Sequence, residues 1–277
     1  MHYKGLSGTT PEQLLLPVLE IARLASKEIL NIYNSDFQVE NKADNSPLTA
    51  ADMAAHTTIC TALMELTPDV PILSEESAGL PYETRKAWDT YWLVDPLDGT
   101  KEFIKRNGEF TVNIALINNN EPILGVVHVP VTDVGYYASV DTTAYMQSGE
   151  DSPVEIKTRQ ASAHSLTVAG SRSHANEIQQ RFFKALGPDT ETINRGSSLK
   201  FCLIAQGRVD VYGRFGPTSE WDTAAAHCVV RQAGGEVTDL TLQPLRYNTK
   251  DSILNPQFLV MGDPSFDWDK YLEEAGA

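Results

Sequence analysis

One short segment limits what this chain can fold into: an apolar run that ends in two acidic residues. Residues 91–94 have the composition of a buried strand, and Asp95 and Asp98 follow with Pro96 between them. Pro96 lacks a backbone N–H and has a fixed φ, whereas Gly99 accepts backbone conformations that other residues resist. The segment therefore predicts a strand that ends in a rigid turn carrying two carboxylates.

Length, charge and cysteine usage exclude several classes of protein. The chain has 277 residues, of which 42% are hydrophobic, and this suits one large domain or two smaller ones packed together. Its net charge of −15 argues against binding to nucleic acid or to an acidic membrane surface. No apolar run approaches the roughly 18 residues of a membrane helix, and the N-terminal residues lack a signal-peptide pattern. The three cysteines are widely spaced, which favours reduced thiols.

From these features we expect a cytoplasmic protein without nucleic-acid partners or stable membrane insertion. Peripheral attachment at the inner face of the cell membrane stays open, and so does the choice between a monomer and a homodimer. The acidic balance does not exclude a small anionic ligand, because screening limits fields to about 10 Å and a bound divalent cation can supply local positive charge.

The apolar periodicity predicts two parts with different arrangements. Helices are predicted over 11–33 and 49–66, with strands at 72–73, 91–94, 111–117, 123–129 and 134–140. After about residue 155, strands and helices alternate: strands 166–169, 191–194, 208–213, 235–238 and 257–261, and helices 175–186, 198–206 and 222–233. Residues 149–153 resemble a linker. We therefore predict an α+β subdomain over 1–155 and an α/β subdomain over 156–277.

Acidic residues lie at the ends of several predicted elements: Glu75, Asp95 with Asp98, Asp222, and Asp52. Carboxylates brought together repel one another unless a cation neutralises them, and ligand sets made only of oxygen favour hard cations such as Mg²⁺. Each acid also has a structural interpretation. Asp52 and Asp222 are each suited to the start of a helix, and Glu75 is suited to a solvated loop. Asp95 and Asp98 are suited to capping a turn.

Three segments together carry a resemblance that no single acid carries. Residues 74–77 (SEES), 95–100 (DPLDGT) and 221–225 (WDTAA) resemble, in order and spacing, the signature of the lithium-sensitive, Mg²⁺-dependent phosphatases. This family includes inositol monophosphatases, fructose-1,6-bisphosphatases and 3′(2′),5′-bisphosphate nucleotidases. The resemblance implies an α/β protein of layered α+β type, the sugar-phosphatase fold with alternating helix and sheet layers. It also implies inhibition by lithium.

The same resemblance implies roles for individual residues. Two or three Mg²⁺ ions are expected, with a first ion bound by Glu75, Asp95 and the Leu97 carbonyl and a second by Asp95, Asp98 and Asp222. A weaker third ion would again involve Glu75. Thr100 and Asp52 are expected to orient and deprotonate the attacking water. Paired metal ions suit phosphate monoester hydrolysis, since they serve both the attacking and the leaving oxygen.

Three further segments narrow the expected substrate. Residues 42–49 resemble the bisphosphate nucleotidase form of the family. Residues 170–174 (GSRSH) and 196–200 (GSSLK) each precede a predicted helix, where free N–H groups, hydroxyls and a cation suit an anion. Ser197 and Ser198 also suit plain helix N-caps, and His174 suits an ordinary surface position. The resemblance implies a wider set of substrate contacts: Gly99, Thr100, Ser171, His174, Ser197, Lys200, Arg214 and Asp222.

The implied reaction converts adenosine 3′,5′-bisphosphate to AMP and phosphate during sulfur assimilation. The metal ions would hold the 3′-phosphate, while Ser197, Lys200 and Arg214 would hold the 5′-phosphate. An inositol monophosphatase is the nearest alternative. A catalytically silent nucleotide-binding regulator is opposed by the presence of all four metal-site acids, and an RNA-binding module by the absence of a basic stripe.

Overall fold

The computed structural model describes residues 3–35, 47–77, 79–170 and 177–276. Its helices are Pro11–Tyr33 (α1), Pro47–Leu66 (α2), Tyr82–Arg85 (α3), Thr100–Ile104 (α4), Glu177–Ala185 (α5), Leu199–Ala205 (α6), Ala224–Gln232 (α7) and Asp269–Ala275 (α8). Its strands are Ile72–Ser74 (β1), Thr90–Asp98 (β2), Thr111–Asn118 (β3), Glu121–Val129 (β4), Val134–Ser139 (β5), Ala144–Ser148 (β6), Val154–Ile156 (β7), Thr167–Gly170 (β8), Glu191–Asn194 (β9), Val211–Arg214 (β10), Glu236–Asp239 (β11) and Phe258–Met261 (β12). Short 3-10 turns cover Glu75–Ser77 and Glu220–Asp222.

Two sheets organise the molecule. Strands β1 to β7 form one sheet in chain order, antiparallel apart from the parallel β1–β2 pair. The second sheet has the order β11-β12-β10-β8-β9. The expected mixed α/β architecture with layered helices and sheets is confirmed. Among the described helices, none is long and apolar enough to cross a membrane.

The helices cover the first sheet on both faces. Helix α1 begins with a capping box in which Thr10 and Gln13 each accept a backbone N–H. Its buried face packs against α2 and onto β3, β4 and β5, because its apolar residues recur at helical spacing, and α2 itself contacts β2. Helix α7 lies on the opposite face, against the same three strands. A helix from the C-terminal part therefore completes the core of the N-terminal sheet.

The boundary between the two parts differs from the expected linker. Residues 149–153 form the turn between β6 and β7, which pair with each other in the first sheet. The chain leaves that sheet only after Ile156, and the second sheet begins at Thr167. A single buried cluster contains Leu93 and Val127 from the first sheet together with Val230 and Val260 from the C-terminal part. The two parts of the chain therefore share a hydrophobic core. Their division into two subdomains near residue 155 stays a proposal.

Strand β2 ends in a bulge that shapes the site. Pairing with β3 runs regularly to Asp95↔Asn113, shifts, and resumes at Asp98↔Thr111. Pro96 cannot donate to the ladder, so the extra residue is accommodated here and the strand bends. Gly99 follows with a φ of +99°. A Cβ on Gly99 would lie 3.1 Å from the Glu109 carbonyl oxygen, so both conformation and space favour glycine.

A second glycine sets the distance between β4 and α7, and we expect the substitution Gly125→Ala to destabilise the protein by about 3 kcal/mol. An alanine Cβ would overlap the Ala225 carbonyl and lie 2.8 Å from the Cβ of Cys228. Urea unfolding measures the effect, with Gly79→Ala as the control because nothing lies within 4 Å of a Cβ built there. Equal stability of the two variants would contradict the close approach.

Candidate active site

Three carboxylates from distant parts of the chain converge at one end of the first sheet. Asp95 and Asp98 lie on the β2 bulge, and Asp222 closes the 3-10 turn before α7. Each offers an oxygen that lies within 4.8 Å of the others. The turn holds Asp222 in place because its Oδ2 accepts the backbone N–H of Ser219, 2.8 Å away. The predicted convergence of these three acids is therefore observed.

The electrostatics of this cluster suit a hard cation. Burial, followed by the charges of Asp98, Glu75, Asp222 and Asp52, raises the pKa of Asp95 well above its usual range. Burial and the Asp98 charge likewise raise the pKa of Asp222 to about 7. Without a cation, these groups resist full ionisation. A set of clustered carboxylate oxygens is the ligand chemistry of Mg²⁺, Mn²⁺ or Ca²⁺, so the residues fit a divalent ion.

Glu75 and Asp52 extend the cluster. Glu75 follows β1 directly, and its carboxyl is hydrogen-bonded to that of Asp95 although part of its side chain is exposed. Desolvation and the charges of Glu76 and Asp98 outweigh this bond and raise the pKa of Glu75. Asp52 lies on α2, and burial together with Glu76 and Glu75 raises its pKa to about 8. Both predicted acids therefore lie within electrostatic reach of Asp95.

Thr100 and Leu97 occupy the positions beside these acids. Thr100 is the exposed first residue of α4, which packs against α2. No hydrogen bond between Thr100 and Asp52 is present in the part of the chain that the structure describes. Leu97 buries its side chain in the core, and its N–H donates to Asp95 Oδ1 at 3.1 Å. This bond orients the Asp95 carboxylate, while the role of the Leu97 carbonyl stays a prediction.

The turn before α6 contacts Asp98 directly. Asp98 Oδ2 accepts the hydroxyl of Ser197 at 2.6 Å, the backbone N–H of Ser198 at 2.8 Å and the hydroxyl of Ser198 at 3.0 Å. Ser198 is the N-cap residue of α6, as one interpretation of the sequence expected, but its side chain makes no cap bond. The two serines instead join the C-terminal part to an acid of the N-terminal sheet.

A cleft next to the acids has cationic side chains on its wall. Asp98 and Asp222 line it together with Lys200, Arg214 and Arg195. Lys200 donates to the carbonyls of Ser197 at 2.7 Å and Arg195 at 3.3 Å, and burial lowers its pKa to about 8. The buried Arg214 Nε has no hydrogen-bond partner among the described residues. The structure therefore brings Lys200 and Arg214 to the same cleft as two of the acids.

Two predicted substrate residues, Ser171 and His174, lie outside the described residues, as does most of the segment 42–49. Polar residues on β3, which the sequence analysis missed, also belong to the site. Thr111 lies 2.6 Å from the Ser197 hydroxyl, and Asn113 donates to Ser198 Oγ at 3.0 Å. The sequence pattern that could have identified them is a pair of polar residues two positions apart in an apolar strand. Such a pair lies on one face of the strand.

The sequence of this chain matches a known protein family and several of its members. Residues 11–264 match the model of the inositol monophosphatase family. The 3′(2′),5′-bisphosphate nucleotidase CysQ of Escherichia coli (strain K12) is 49% identical over 249 residues, covering 89% of this chain and 99% of the relative. CysQ of Haemophilus influenzae is 37% identical over 260 residues, covering 94% and 97%.

A solved structure agrees with this result. The crystal structure of CysQ from Bacteroides thetaiotaomicron, described as a bacterial member of the inositol monophosphatase family, has a TM-score of 0.81 and 43% sequence identity. The match covers 89% of this chain and 96% of that one. The resemblance inferred from the three acidic segments is thereby confirmed.

Proposed function

Because the chain belongs to the inositol monophosphatase family, we propose that it is a 3′(2′),5′-bisphosphate nucleotidase that removes the 3′-phosphate of adenosine 3′,5′-bisphosphate. The observation that carries the proposal is the convergence of Asp95, Asp98 and Asp222 beside a cleft lined by Lys200 and Arg214. A substrate with two phosphates needs two anionic subsites, one provided by a cation on the acids and one by cationic side chains.

The acidic cluster would hold the catalytic cation, which we propose to be Mg²⁺ in two or three copies. Glu75, Asp95 and the Leu97 carbonyl form one proposed ligand group, and Asp95, Asp98 and Asp222 form the other. When bound, such ions lower the pKa of a water molecule and stabilise charge on the phosphoryl and leaving oxygens. Asp95 contributes to both groups and is buried, so its orientation by Leu97 N–H bears on the whole site.

Asp52 and Thr100 are the proposed groups for proton handling. The raised pKa of Asp52 brings it near neutrality, where a general base works best. Thr100 lies at the exposed start of α4, directly after Gly99, and its hydroxyl is proposed to orient a water. In this proposal, Thr100 passes the proton of the attacking water towards Asp52. The position of α4 against α2 supports the pairing.

The second phosphate is proposed to contact Lys200 and Arg214. The unpartnered Arg214 Nε offers a donor that a phosphate oxygen can satisfy, and satisfying a buried donor is worth about 1–3 kcal/mol. Lys200 has two of its three protons committed to carbonyls, which leaves one for an anion. Ser171 and His174 are proposed to lie beside the ribose and base.

Phosphate release from adenosine 3′,5′-bisphosphate tests the function. We expect release of one phosphate per substrate that depends on Mg²⁺ and stops with a chelator, with AMP bearing its phosphate at the 5′ position as the product. Inositol 1-phosphate should react more slowly by about 100-fold or more, because it leaves the Arg214 and Lys200 wall unpaired. Faster hydrolysis of inositol 1-phosphate would favour the inositol monophosphatase alternative and overturn the proposal.

A further inference from the structure

A histidine on α2 connects this helix to the first sheet. His56 lies on the same side of α2 as Asp52, one turn further along. Its ring Nδ1 lies 2.9 Å from the hydroxyl oxygen of Ser74, which is a hydrogen-bond distance whichever atom donates. Ser74 is the last residue of β1. A polar contact therefore joins the helix that carries the proposed general base to the strand that leads into the acidic cluster.

Ser74 occupies a position next to two acids of the cluster. Glu75 is the next residue along the chain. In the parallel ladder between β1 and β2, Ser74 pairs with Val94, and Asp95 is the next residue of β2. Ser74 is fully buried, with a relative exposure of 0%, so its hydroxyl depends on a partner within the protein. Any shift of α2 relative to Ser74 thus changes the distance between the acid of this helix and both of these acids.

The apolar packing of α2 does little to fix this position. Four buried residues recur every four positions and form one narrow stripe against the core: Ala51, Ala55, Ile59 and Leu63. The two nearest to Asp52 are alanines, each of which offers a single methyl group. Hydrophobic contact is non-directional, whereas a hydrogen bond requires a defined distance and angle. The contact between His56 and Ser74 therefore limits sliding and rotation of this end of α2.

Cys60 provides a comparison on the same side of the helix. Its Sγ lies 3.6 Å from His56 Nδ1, and a thiol is a weak hydrogen-bond partner. Because Cys60 is itself part of α2, this contact cannot connect the helix to the sheet. Removing the thiol therefore changes the surroundings of the ring and leaves the connection to Ser74 in place.

We propose that His56 is a positioning residue that, through Ser74, holds Asp52 at a fixed distance from the acids that follow β1 and β2. His56 places the helix, and Asp52 handles the proton. A displacement of about 1 Å at a reacting group is enough to lower a rate by about 10²-fold, so such a contact bears on kcat. This inference rests on the proposed function for the role of Asp52, and it goes beyond that function by assigning the placement of the base to a pair of residues outside the proposed ligand groups.

Steady-state hydrolysis of adenosine 3′,5′-bisphosphate by three single variants is the primary test. We expect His56→Leu and Ser74→Ala each to lower kcat by about tenfold, equivalent to about 1.4 kcal/mol, because the base is then less often in place. KM and the Mg²⁺ concentration at half-maximal rate should change by less than about twofold, since the ligand groups stay on their own strands. His56→Asn should restore most of kcat, because its amide offers both a donor and an acceptor close to the position of Nδ1, whereas leucine of similar shape offers neither.

Two controls isolate the contact. Cys60→Ala removes the other neighbour of the ring and should leave kcat unchanged. The double variant His56→Leu with Ser74→Ala should lose no more than either single variant, because both changes remove one and the same contact.

Four results would overturn the proposal. They are an unchanged kcat in His56→Leu, losses that multiply in the double variant, and a His56→Asn variant as impaired as His56→Leu, which would assign the effect to the packing of the ring. The fourth is a rise in the Mg²⁺ requirement that matches the fall in kcat, which would assign the contact to metal binding by Glu75.

Three further outcomes have a definite interpretation. If His56→Leu does not fold, Ser74→Ala carries the test, because it removes the same contact through the loss of one oxygen atom. If the unmodified protein hydrolyses inositol 1-phosphate but not the nucleotide, the proposed substrate is wrong, whereas the same ratios of kcat measured on that ester still decide the role of His56. If it hydrolyses neither ester, both proposals fail.

Discussion

Replacing Asp95 by asparagine is expected to lower kcat/KM for adenosine 3′,5′-bisphosphate by about 10³-fold. Asp95 is buried between Asp98, Glu75 and Asp222, and it is the acid shared by both proposed ion sites. Asparagine keeps the shape and one oxygen but removes the charge, so the variant loses several kcal/mol of charge stabilisation in the transition state. Steady-state kinetics over a range of Mg²⁺ concentrations measure the loss.

The stability of the same variant distinguishes a lost ligand from a damaged fold. The folded-state pKa of Asp95 is raised, so the metal-free folded chain retains a proton that the unfolded chain releases, and stability falls as pH rises above the unfolded pKa. Asparagine removes this penalty. We therefore expect metal-free Asp95→Asn to melt at the same temperature as the unmodified protein or higher at pH 8, while its stabilisation by Mg²⁺ disappears. Near-normal activity that still depends on Mg²⁺ would refute the assignment, and the exposed Asp69→Asn serves as the control.

Replacing Asp52 by asparagine is expected to lower kcat by about 10² to 10⁴-fold, the range typical for loss of a general base. Asp52 lies on α2 and reaches Asp95 only through their charges, so KM and the Mg²⁺ requirement should change much less than kcat. Glu76→Gln is the matched control, because Glu76 is an exposed acid that acts on Asp52 without a proposed role of its own. An equal loss in both variants would assign the effect to the general charge of the site.

The pH dependence of stability provides an independent measure of Asp52. Its pKa is raised from 3.8 to about 8, so the metal-free folded chain binds more protons than the unfolded chain between these values. Stability contributed by the neutral form is fully present below the lower value and is lost as pH rises through the window. The free energy of unfolding, measured with urea on metal-free protein, should therefore decline less between pH 4 and 8 for Asp52→Asn than for the unmodified protein. Identical slopes would contradict the raised pKa.

Helices and strands with a strong hydrophobic periodicity were predictable from the sequence. Short or partly exposed helices and strands were not. Helix α1 was expected over 11–33 and begins and ends at those residues, because its cap, its proline and its apolar face agree. Strands β6 and β7 were missed, since both are partly exposed and β7 lies at the sheet edge, where burial imposes little pattern. Helix α8 has only seven residues, too few for a clear helical period.

The same distinction applies to the site. Asp95 and Asp98 could be assigned because a local motif carries both, and Asp222 because its flanking residues match the family signature. The contacts of Ser198 were not predictable, since its hydroxyl bonds to Asp98, a residue 100 positions away, in preference to the local helix cap. Local sequence identifies which groups can form hydrogen bonds, but only the packing of α6 and β3 around the bulge decides which partner is used.

The position of Asp222 has a consequence for biosynthesis. A chain emerging from the ribosome makes Asp95 and Asp98 early, yet the third carboxylate and the helix that covers the far face of the first sheet are added only from residue 222 onwards. Until then, the nascent polypeptide exposes an apolar sheet face and cannot capture its cation with the full cluster. Binding of a cation by all three carboxylates is thus open only to polypeptides whose synthesis has passed this point.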